Sequence, residues 1–348
     1  MKLLIYADIH CTEGSEQCHV DPTLSLRIYQ TKKFFNDLQT VHNQYGCEGI
    51  IDLGDTTSDR SSLPIPVIDT ICSCVAGLPS SKWNFKLIGN HEQFLRDTSV
   101  NNKRLFDRKF TVIDQNAVYT VNDTALVFCS YPEKNETLAQ WIHEQSHVLH
   151  QNPKILFGHF QVSGCLTASG ASLSGIPRSS LSAFNLCLLG HIHFPQSLSK
   201  TIHYVGSPFQ QDWSEAGQQK RVAIVDTDTF NVTWVLLTGY PEYRRIDFAD
   251  FQKLESVSLE HRFRVVLSTH EETEQYFQHH LFHLTEAEYA YDAAVPKEQQ
   301  QERDWSFEGT CLRYMSLVPP ATIGINLTAE DMLGIGQGIA RGDYAQSS

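Results

Sequence analysis

Residues 3–10 read Leu-Leu-Ile-Tyr-Ala-Asp-Ile-His, and this stretch decides the predicted fold. The run from residue 3 to residue 7 predicts a short buried strand, because a parallel strand covered on both faces is apolar throughout. Asp8 and His10 come directly after it, where a loop leaves the carboxyl end of the strand. Open α/β sheets build their sites at that end. We therefore expect Asp8 and His10 to face a binding site.

The same arrangement recurs four more times in a fixed order along the chain. Short apolar runs precede Gly54-Asp55, Gly89-Asn90-His91-Glu92, Gly158-His159 and Gly190-His191-Ile192-His193. A single pair of this kind occurs by chance in a chain with 16 histidines, but the joint order after strands is specific. The histidines without such placement are interpreted as structural or solvated: His19, His42, His143, His147, His150, His203, His279 and His280.

The residue types in these motifs indicate a pair of divalent cations. Two cations about 3.5 to 4 Å apart stabilise both the attacking and the leaving oxygen of a displacement at phosphorus. Asp55 is the natural bridging carboxylate, and Gly54, Gly89, Gly158 and Gly190 are expected to supply φ values closed to other residues. Nitrogen and oxygen ligands without thiolate favour Mn, with Fe or Zn next and Mg as a further alternative. The sequence thus predicts a two-metal phosphoesterase.

The ordered set Asp-x-His, Gly-Asp, Gly-Asn-His-(Asp/Glu), Gly-His and Gly-His-x-His resembles the calcineurin-like metallophosphoesterases. Within them, residues 204–210 (Tyr-Val-Gly-Ser-Pro-Phe-Gln) and 215–220 (Glu-Ala-Gly-Gln-Gln-Lys) look like the SbcD nuclease family, including related phage recombination endonuclease subunits. The resemblance covers residues 1–240. It implies an α/β fold, a two-sheet metallophosphoesterase sandwich flanked by helices, with a small C-terminal capping domain.

The resemblance also implies a role for each motif residue. One metal would be bound by Asp8, His10, Asp55 and His193. The other would be bound by Asp55, Asn90, His159 and His191. His91 resembles the catalytic histidine, which assists the departing oxygen as a general acid or charge stabiliser. The chain departs from the family at Ser58, where SbcD-type nucleases usually have a second histidine, and at Glu92, where they more often have Asp.

The domain organisation predicted from these patterns has three parts. Residues 1–240 form the nuclease domain, 241–295 a capping domain that contacts DNA, and 296–348 a polar linker with a candidate ATPase-docking tail. Apolar spacing predicts a helix over 23–45, and further strands are expected at 125–130, 202–205, 221–225, 232–237 and 262–267. A helix is expected over 271–284 and another over 328–340. The Ser/Gly-rich segment 163–182 is expected to be a loop beside the metals that touches substrate.

Composition narrows the class of protein. A chain of 348 residues has room for one large and one smaller domain. Nine irregularly spaced cysteines fit a reducing cytoplasm, and the first residues predict a strand rather than a signal peptide, with no membrane segment. The net charge of −13 argues against a simple nucleic-acid binder. If DNA is the substrate, cations and a partner must supply much of the attraction.

Three functions compete. The first, which the sequence favours, is a DNA nuclease of repair and recombination that works as a homodimer with an SbcC-like coiled-coil ATPase. The second is a phosphoprotein phosphatase or small phosphodiesterase. Ser/Thr phosphatases have Gly-Asp-x-x-Asp-Arg-Gly, whereas Asp59 and Arg60 lie one residue too far on and no Gly follows. The third is a non-catalytic scaffold, which would normally have lost ligands, and none is missing here.

Overall fold

Two six-stranded sheets form the centre of the fold, and helices cover their outer faces. The computed structural model describes residues 1–14, 18, 20–94, 100–149, 152–258 and 261–290. The α/β class and the two-sheet sandwich predicted from the sequence are confirmed. In chain order, the strands of the two sheets are β1 (Lys2–Tyr6), β2 (Gly49–Asp52), β3 (Phe85–Leu87), β4 (Thr111–Ile113), β5 (Ala117–Val121), β6 (Thr124–Cys129), β7 (Lys154–His159), β8 (Leu186–Gly190), β9 (Gln196–Ser197), β10 (Ile202–Tyr204), β11 (Lys220–Asp226) and β12 (Val232–Leu237).

Both sheets contain a block of parallel strands, with antiparallel strands at one margin of the first sheet and at both margins of the second. The first sheet has the order β12-β11-β1-β2-β3-β4, in which β1 to β4 run parallel and β11 pairs antiparallel with β1. The second has the order β5-β6-β7-β8-β10-β9, with β6, β7, β8 and β10 parallel. Since carboxyl ends of parallel strands lie at one edge, each sheet brings several motif loops to the same edge.

The alternation of side chains along the strands divides the core into layers. In β1, Leu3 and Ile5 point between the sheets, where they join residues such as Phe157 and Leu188 of the second sheet. The next residue along, Leu4, faces the helical layer outside the first sheet. Successive strand residues point to opposite faces, so the apolar run of β1 fills two layers at once.

Three helices cover the outer faces of the sheets: α1 (Leu26–Tyr45), α2 (Ile65–Gly77) and α3 (Asn135–Val148). The α1 helix confirms the prediction over 23–45. The Ser25 side chain accepts a hydrogen bond from the amide of Ile28, and Gly46 ends the helix at φ 62°. Helices α1 and α2 pack on the first sheet, and α3 packs on the second through Leu138 and Ile142.

A third sheet of three strands follows, with the order β13 (Tyr243–Asp247), β14 (Arg262–Leu267) and β15 (Glu286–Tyr289). It carries the short helices α4 (Phe248–Phe251) and α5 (His270–Gln278) around a core of its own. The helix predicted over 271–284 is too long, because His279 adopts extended backbone and ends α5.

This sheet lies within the range predicted for the capping domain. Residues Met1–Glu288 belong to one compact unit, so the domain boundary at residue 240 stays a prediction. The linker, the predicted helix over 328–340 and the candidate docking tail lie outside the described residues.

Candidate metal centre

The predicted ligands meet where the strands of both sheets end. Asp8, Asp55 and Asn90 follow β1, β2 and β3 of the first sheet, while His159 ends β7 and His191 follows β8 of the second. A side chain placed at Gly190 would come within 3.1 Å of both Ala7 and His159, which shows how closely the strand ends approach. The structure therefore brings together residues that five separate stretches of sequence supply.

One group of candidate ligands consists of Asp8, His10 and His193, whose ligand atoms lie within 4.8 Å of one another. The Asp8 carboxylate accepts the backbone N–H of His191 at 3.0 Å to each oxygen. The Nε2 atoms of His10 and His193 are 3.1 Å apart. One carboxylate and two imidazoles thus face a common point, a donor set that suits Mn, Fe or Zn.

A second group consists of Asp55, His159 and His191, again within 4.8 Å. Asp55 Oδ2 lies 3.2 Å from His159 Nε2 and 3.6 Å from His10 Nε2 of the first group. The amide oxygen of Asn90 lies 2.8 Å from His191 Nδ1 and 3.2 Å from His159 Nε2. Asp55 therefore occupies the position between the two groups that a bridging carboxylate requires.

The orientation of these groups fits a bound cation. His159 Nδ1 donates to the Leu53 carbonyl at 2.8 Å, which leaves the Nε2 lone pair of a neutral ring directed at Asp55 and Asn90. The Asn90 oxygen faces hydrogen-bond acceptors, although exchanging its amide oxygen and nitrogen would form hydrogen bonds to His191 and Asp55. A divalent cation bound among these lone pairs would favour the orientation with the Asn90 oxygen directed inward.

The charges of the centre also suit a cation. Burial raises the pKa of Asp8 to about 6, and burial with neighbouring His159 lowers the pKa of His191 to about 3. Burial would raise the pKa of Asp55, but the nearby histidines outweigh it and lower that pKa. Burial opposes a charge on His159, yet Asp55 outweighs it and raises the pKa of His159 to about 9. A cation at Asp55 would therefore replace the proton of His159.

His91, the predicted catalytic histidine, lies at the edge of the centre and is half-buried. Its backbone N–H donates to Asp55 Oδ1 at 2.9 Å, and its ring Nδ1 donates to the Ser58 carbonyl at 2.7 Å. These two bonds aim Nε2 at the centre, 3.2 Å from the side-chain nitrogen of Asn90. Its ligand atom also lies within 4.8 Å of those of His10 and Asp55, so its role as acid rather than ligand stays a prediction.

Four candidate ligands have left-handed backbone, which few residues other than glycine adopt. The φ angles are 56° at Asp8, 50° at His10, 55° at Asp55 and 81° at His191. Tertiary hydrogen bonds hold this conformation: the amide of Asp8 donates to Gly54 and that of His10 to Asp55. The loops are therefore shaped by the surrounding fold, which is how strained backbone persists at functional sites.

The reason predicted for the four motif glycines is wrong for three of them. Only Gly54 has a positive φ, at 109°. At Gly89 a side chain would overlap the Asp55 carboxylate, and close contacts also meet a side chain at Gly158 and Gly190. These three glycines give room for neighbouring atoms, and the unusual φ values belong to the ligands themselves.

Sequence reasoning missed the carboxylate behind His193. Glu215 Oε1 accepts a hydrogen bond from His193 Nδ1 at 2.8 Å, and its other oxygen contacts Lys220 at 2.7 Å and Ser207 at 3.1 Å. Burial would raise the pKa of Glu215, but His193 and Lys220 outweigh it and lower the pKa to about 2. The carboxylate orients His193 Nε2 toward the candidate metal. Its only signal was membership in the nuclease-like stretch 215–220.

A buried ionic cluster beneath the loops was also missed. Lys86 Nζ lies 3.0 Å from Asp52 Oδ2 and 2.7 Å from Glu92 Oε1, and all three side chains are fully buried. Glu92 accepts the backbone N–H groups of Asp55 and Thr56, while Asp52 accepts that of Gly54. The cluster therefore fixes the loop that carries the predicted bridge. An apolar position occupied by Lys86 was the available signal.

Two further side chains border the centre. The guanidinium of exposed Arg60 reaches 3.0 Å from the side-chain nitrogen of Asn90. The ring of Tyr131 lies 5.3 Å from that of His191 on another side. The predicted Ser/Gly-rich loop forms no regular strand before the short helical turn at Arg178–Leu181. Its contact with substrate stays a prediction.

The family comparison identifies the class that this fold and centre define. The family described as calcineurin-like phosphoesterase matches residues 1–195, more than half of the chain. The chain therefore belongs to the calcineurin-like phosphoesterase family. The matched range contains all seven predicted ligands and His91, and the clustered His and Asp side chains of this fold suggest divalent metal binding, while the role of each residue stays a prediction.

Similar solved structures include an archaeal phosphodiesterase, at 11% identity and a TM-score of 0.34, over 68% of this chain and 100% of that chain. A dimetal phosphatase from Danio rerio has 10% identity and a TM-score of 0.40, over 68% and 99%. The calcineurin-like phosphoesterase YfkN from Bacillus subtilis has 11% identity and a TM-score of 0.37, over 68% and 88%. No curated protein matches the sequence.

Within the described part of the chain, the helices are all too short or too polar to cross a membrane.

Proposed function

We propose that the protein is a two-metal DNA nuclease of the SbcD type, with Mn as the preferred cation. The supporting observation is that three buried residues of the two nuclease-like stretches, 204–210 and 215–220, form one network on a candidate ligand. Glu215 in the second stretch contacts His193, and Ser207 and Lys220 hold Glu215 in turn. Three residues of the nuclease-like stretches therefore support a candidate ligand.

The chain's own residues suit phosphodiester hydrolysis. When bound, a pair of divalent cations supplies the electrostatic stabilisation of an in-line displacement at phosphorus. His91, held by the Ser58 carbonyl, presents Nε2 to the same space and delivers a proton to the departing oxygen. The amide nitrogen of Asn90 and the guanidinium of Arg60 lie beside it as hydrogen-bond donors for a phosphate oxygen. Arg60 thus supplies a positive charge near Ser58, where the related nucleases have a second histidine.

The basic side chains of the third sheet attract DNA only weakly, because acidic side chains pair with them. On the third sheet, Arg244 pairs with Glu242, Arg245 with Glu288 and Arg264 with Glu286, at 2.6 to 2.9 Å. The pair of Arg244 with Glu242 is exposed, and such pairs contribute little to stability and can exchange for phosphate. A protein of net charge −13 therefore needs help to hold a duplex. We place an SbcC-like ATPase in this role, with the nuclease acting as a homodimer in the cytoplasm during DNA repair and recombination.

Hydrolysis of a phosphoprotein or a small phosphodiester is the second candidate. The acidic surface favours it, because it repels nucleic acid. The same centre could serve either substrate, so the two functions differ in what reaches it.

A substrate comparison with the full chain and Mn²⁺ tests the proposal. Linear and circular single-stranded DNA, an aryl phosphomonoester and a phosphopeptide would be supplied at equal concentration. We expect nucleotide release from linear DNA and slower monoester hydrolysis. Intact DNA together with rapid monoester or phosphopeptide hydrolysis would contradict the nuclease and support the second candidate.

The partner is tested by truncation before Pro296, outside the described residues. We expect Mn-dependent cleavage of short single-stranded DNA to remain, and co-purification with an SbcC-like ATPase to be lost. Retained ATPase binding would move the docking surface elsewhere. Loss of basal cleavage would assign the tail to the catalytic fold.

A further inference from the structure

Two histidines on the outer surface of α3 face each other. His143 and His147 are four residues apart, a spacing that places side chains on one face of a helix. Both are exposed. Their Nε2 atoms lie 3.2 Å apart, and their ring centroids 4.4 Å apart with the planes at 85°. Two imidazole nitrogens on neighbouring turns of the helix are therefore close enough to bind one ion.

The separation of the two nitrogens suits one metal ion. A first-row metal binds imidazole nitrogen at about 2.0 to 2.1 Å, so nitrogens 3.2 Å apart would subtend about 100° at the ion. That angle lies between the square and the tetrahedral values that these ions adopt. We infer that His143 and His147 form a separate surface site for Zn²⁺, Ni²⁺ or Cu²⁺, with water as the remaining ligands.

The site is independent of the centre at the strand ends. Helix α3 packs on the outer face of the second sheet through Leu138 and Ile142, and the two histidines lie on its solvent side. Neither belongs to the groups that include Asp55. The helix backbone already holds both rings close together, so little conformational freedom is lost when an ion binds.

The ligand type makes the site selective. Two imidazoles without a carboxylate bind Mn²⁺ weakly, because affinity for nitrogen ligands rises from Mn²⁺ to Cu²⁺ and falls again at Zn²⁺. The competing explanation is a hydrogen bond between two neutral rings, which needs no ion. The two explanations differ in the number of ions that the chain binds.

Equilibrium dialysis of the full chain against Ni²⁺ and, separately, Mn²⁺ tests the inference by metal content per chain. We expect His143→Ala to bind one Ni²⁺ fewer than the unaltered protein and the same amount of Mn²⁺. His147→Ala should give the same result. The matched control is His42→Ala on α1, which removes a helical histidine that has no histidine four residues away and should leave both metal contents unchanged.

Equal Ni²⁺ content in the unaltered protein and in both variants would overturn the inference. His143 and His147 are exposed on a helix, and alanine has the highest helix propensity, so the variants should keep the fold. Unchanged Mn²⁺ content and phosphoesterase activity would verify this. The outcome does not depend on whether DNA is the substrate.

Discussion

His191 donates its backbone N–H to both carboxylate oxygens of Asp8, at 3.0 Å each. The two residues are 183 positions apart and follow strands of different sheets, β8 and β1. The bond joins the sheets at the candidate metal centre and orients the Asp8 carboxylate through the backbone. Such support by the fold holds ligand geometry in place before a cation binds.

The position of Asp55 between the two ligand groups leads to the first prediction. Asp55→Asn removes the negative charge that both cations would share, so the protein should bind fewer than two Mn²⁺ per chain and lose nearly all phosphoesterase activity. Metal content after dialysis and the hydrolysis rate measure this. Two bound ions with near-normal affinity would sink the assignment of Asp55 as the bridge.

His91 is predicted to transfer a proton without binding a metal ion, so its substitution should lower the rate and leave the metal content unchanged. His91→Ala should keep both ions and lose roughly 10² to 10⁴ in kcat, the usual worth of a positioned acid. His191→Ala should instead lower metal content. A parallel fall of metal content and rate in His91→Ala would make His91 a ligand, which its proximity to His10 and Asp55 would explain.

The carboxylate behind His193 should tune metal affinity without touching substrate. Glu215→Gln weakens the hydrogen bond that orients His193, and we expect the affinity for one of the two ions to fall about 10- to 100-fold. The control is Glu242→Gln, which alters an exposed pair with Arg244. Saturating Mn²⁺ should restore most of the rate. Unchanged titration curves in Glu215→Gln would mean that this contact serves packing alone.

Lys86 should matter for stability more than a surface lysine does. Lys86→Met leaves Asp52 and Glu92 buried without their cation, so the free energy of unfolding should fall by about 3 to 5 kcal/mol. Lys103→Met removes an exposed pair with Asp114 and should cost about 1 kcal/mol or less. Urea denaturation of both variants compares them. Similar midpoints would show that the buried cluster adds little.

The guanidinium beside Asn90 should act on substrate. Arg60→Ala removes a charged donor near the position of a phosphate oxygen, worth about 1.5 to 3 kcal/mol, so kcat/KM should fall about 10- to 100-fold. Metal content should not change. Arg108→Ala, an exposed arginine on another loop, is the control. An unaltered kcat/KM in Arg60→Ala would remove this residue from the substrate site.

Strands and candidate ligands could be predicted from the sequence because both are local signals. A buried parallel strand is a short apolar run, and its following loop begins within one or two residues, so β1 located Asp8 and His10. The repetition of that pattern located Asp55, Asn90 and His159 without any knowledge of the sheet order. The pairing of β1 with β11 could not be seen, since nothing in either strand specifies its neighbour.

The surroundings of the ligands could not be predicted because they depend on tertiary contacts. Glu215 and His193 are 22 residues apart and meet only in the folded chain. In the sequence, Lys86 is a single polar residue in a short strand. Only the folded chain places Asp52 and Glu92 beside it. The positive φ angles of the candidate ligands could not be predicted for the same reason, because hydrogen bonds between loops impose them.

The place of β1 inside its sheet has a consequence for synthesis. The strand needs β2 on one side and β11 on the other, and β11 begins at Lys220. While the ribosome is still translating the intervening residues, one edge of the first strand has no partner. An open apolar edge invites wrong pairing and aggregation. A fragment that ends before Lys220 would contain every candidate ligand and still lack β11 and β12, the two strands that complete this sheet.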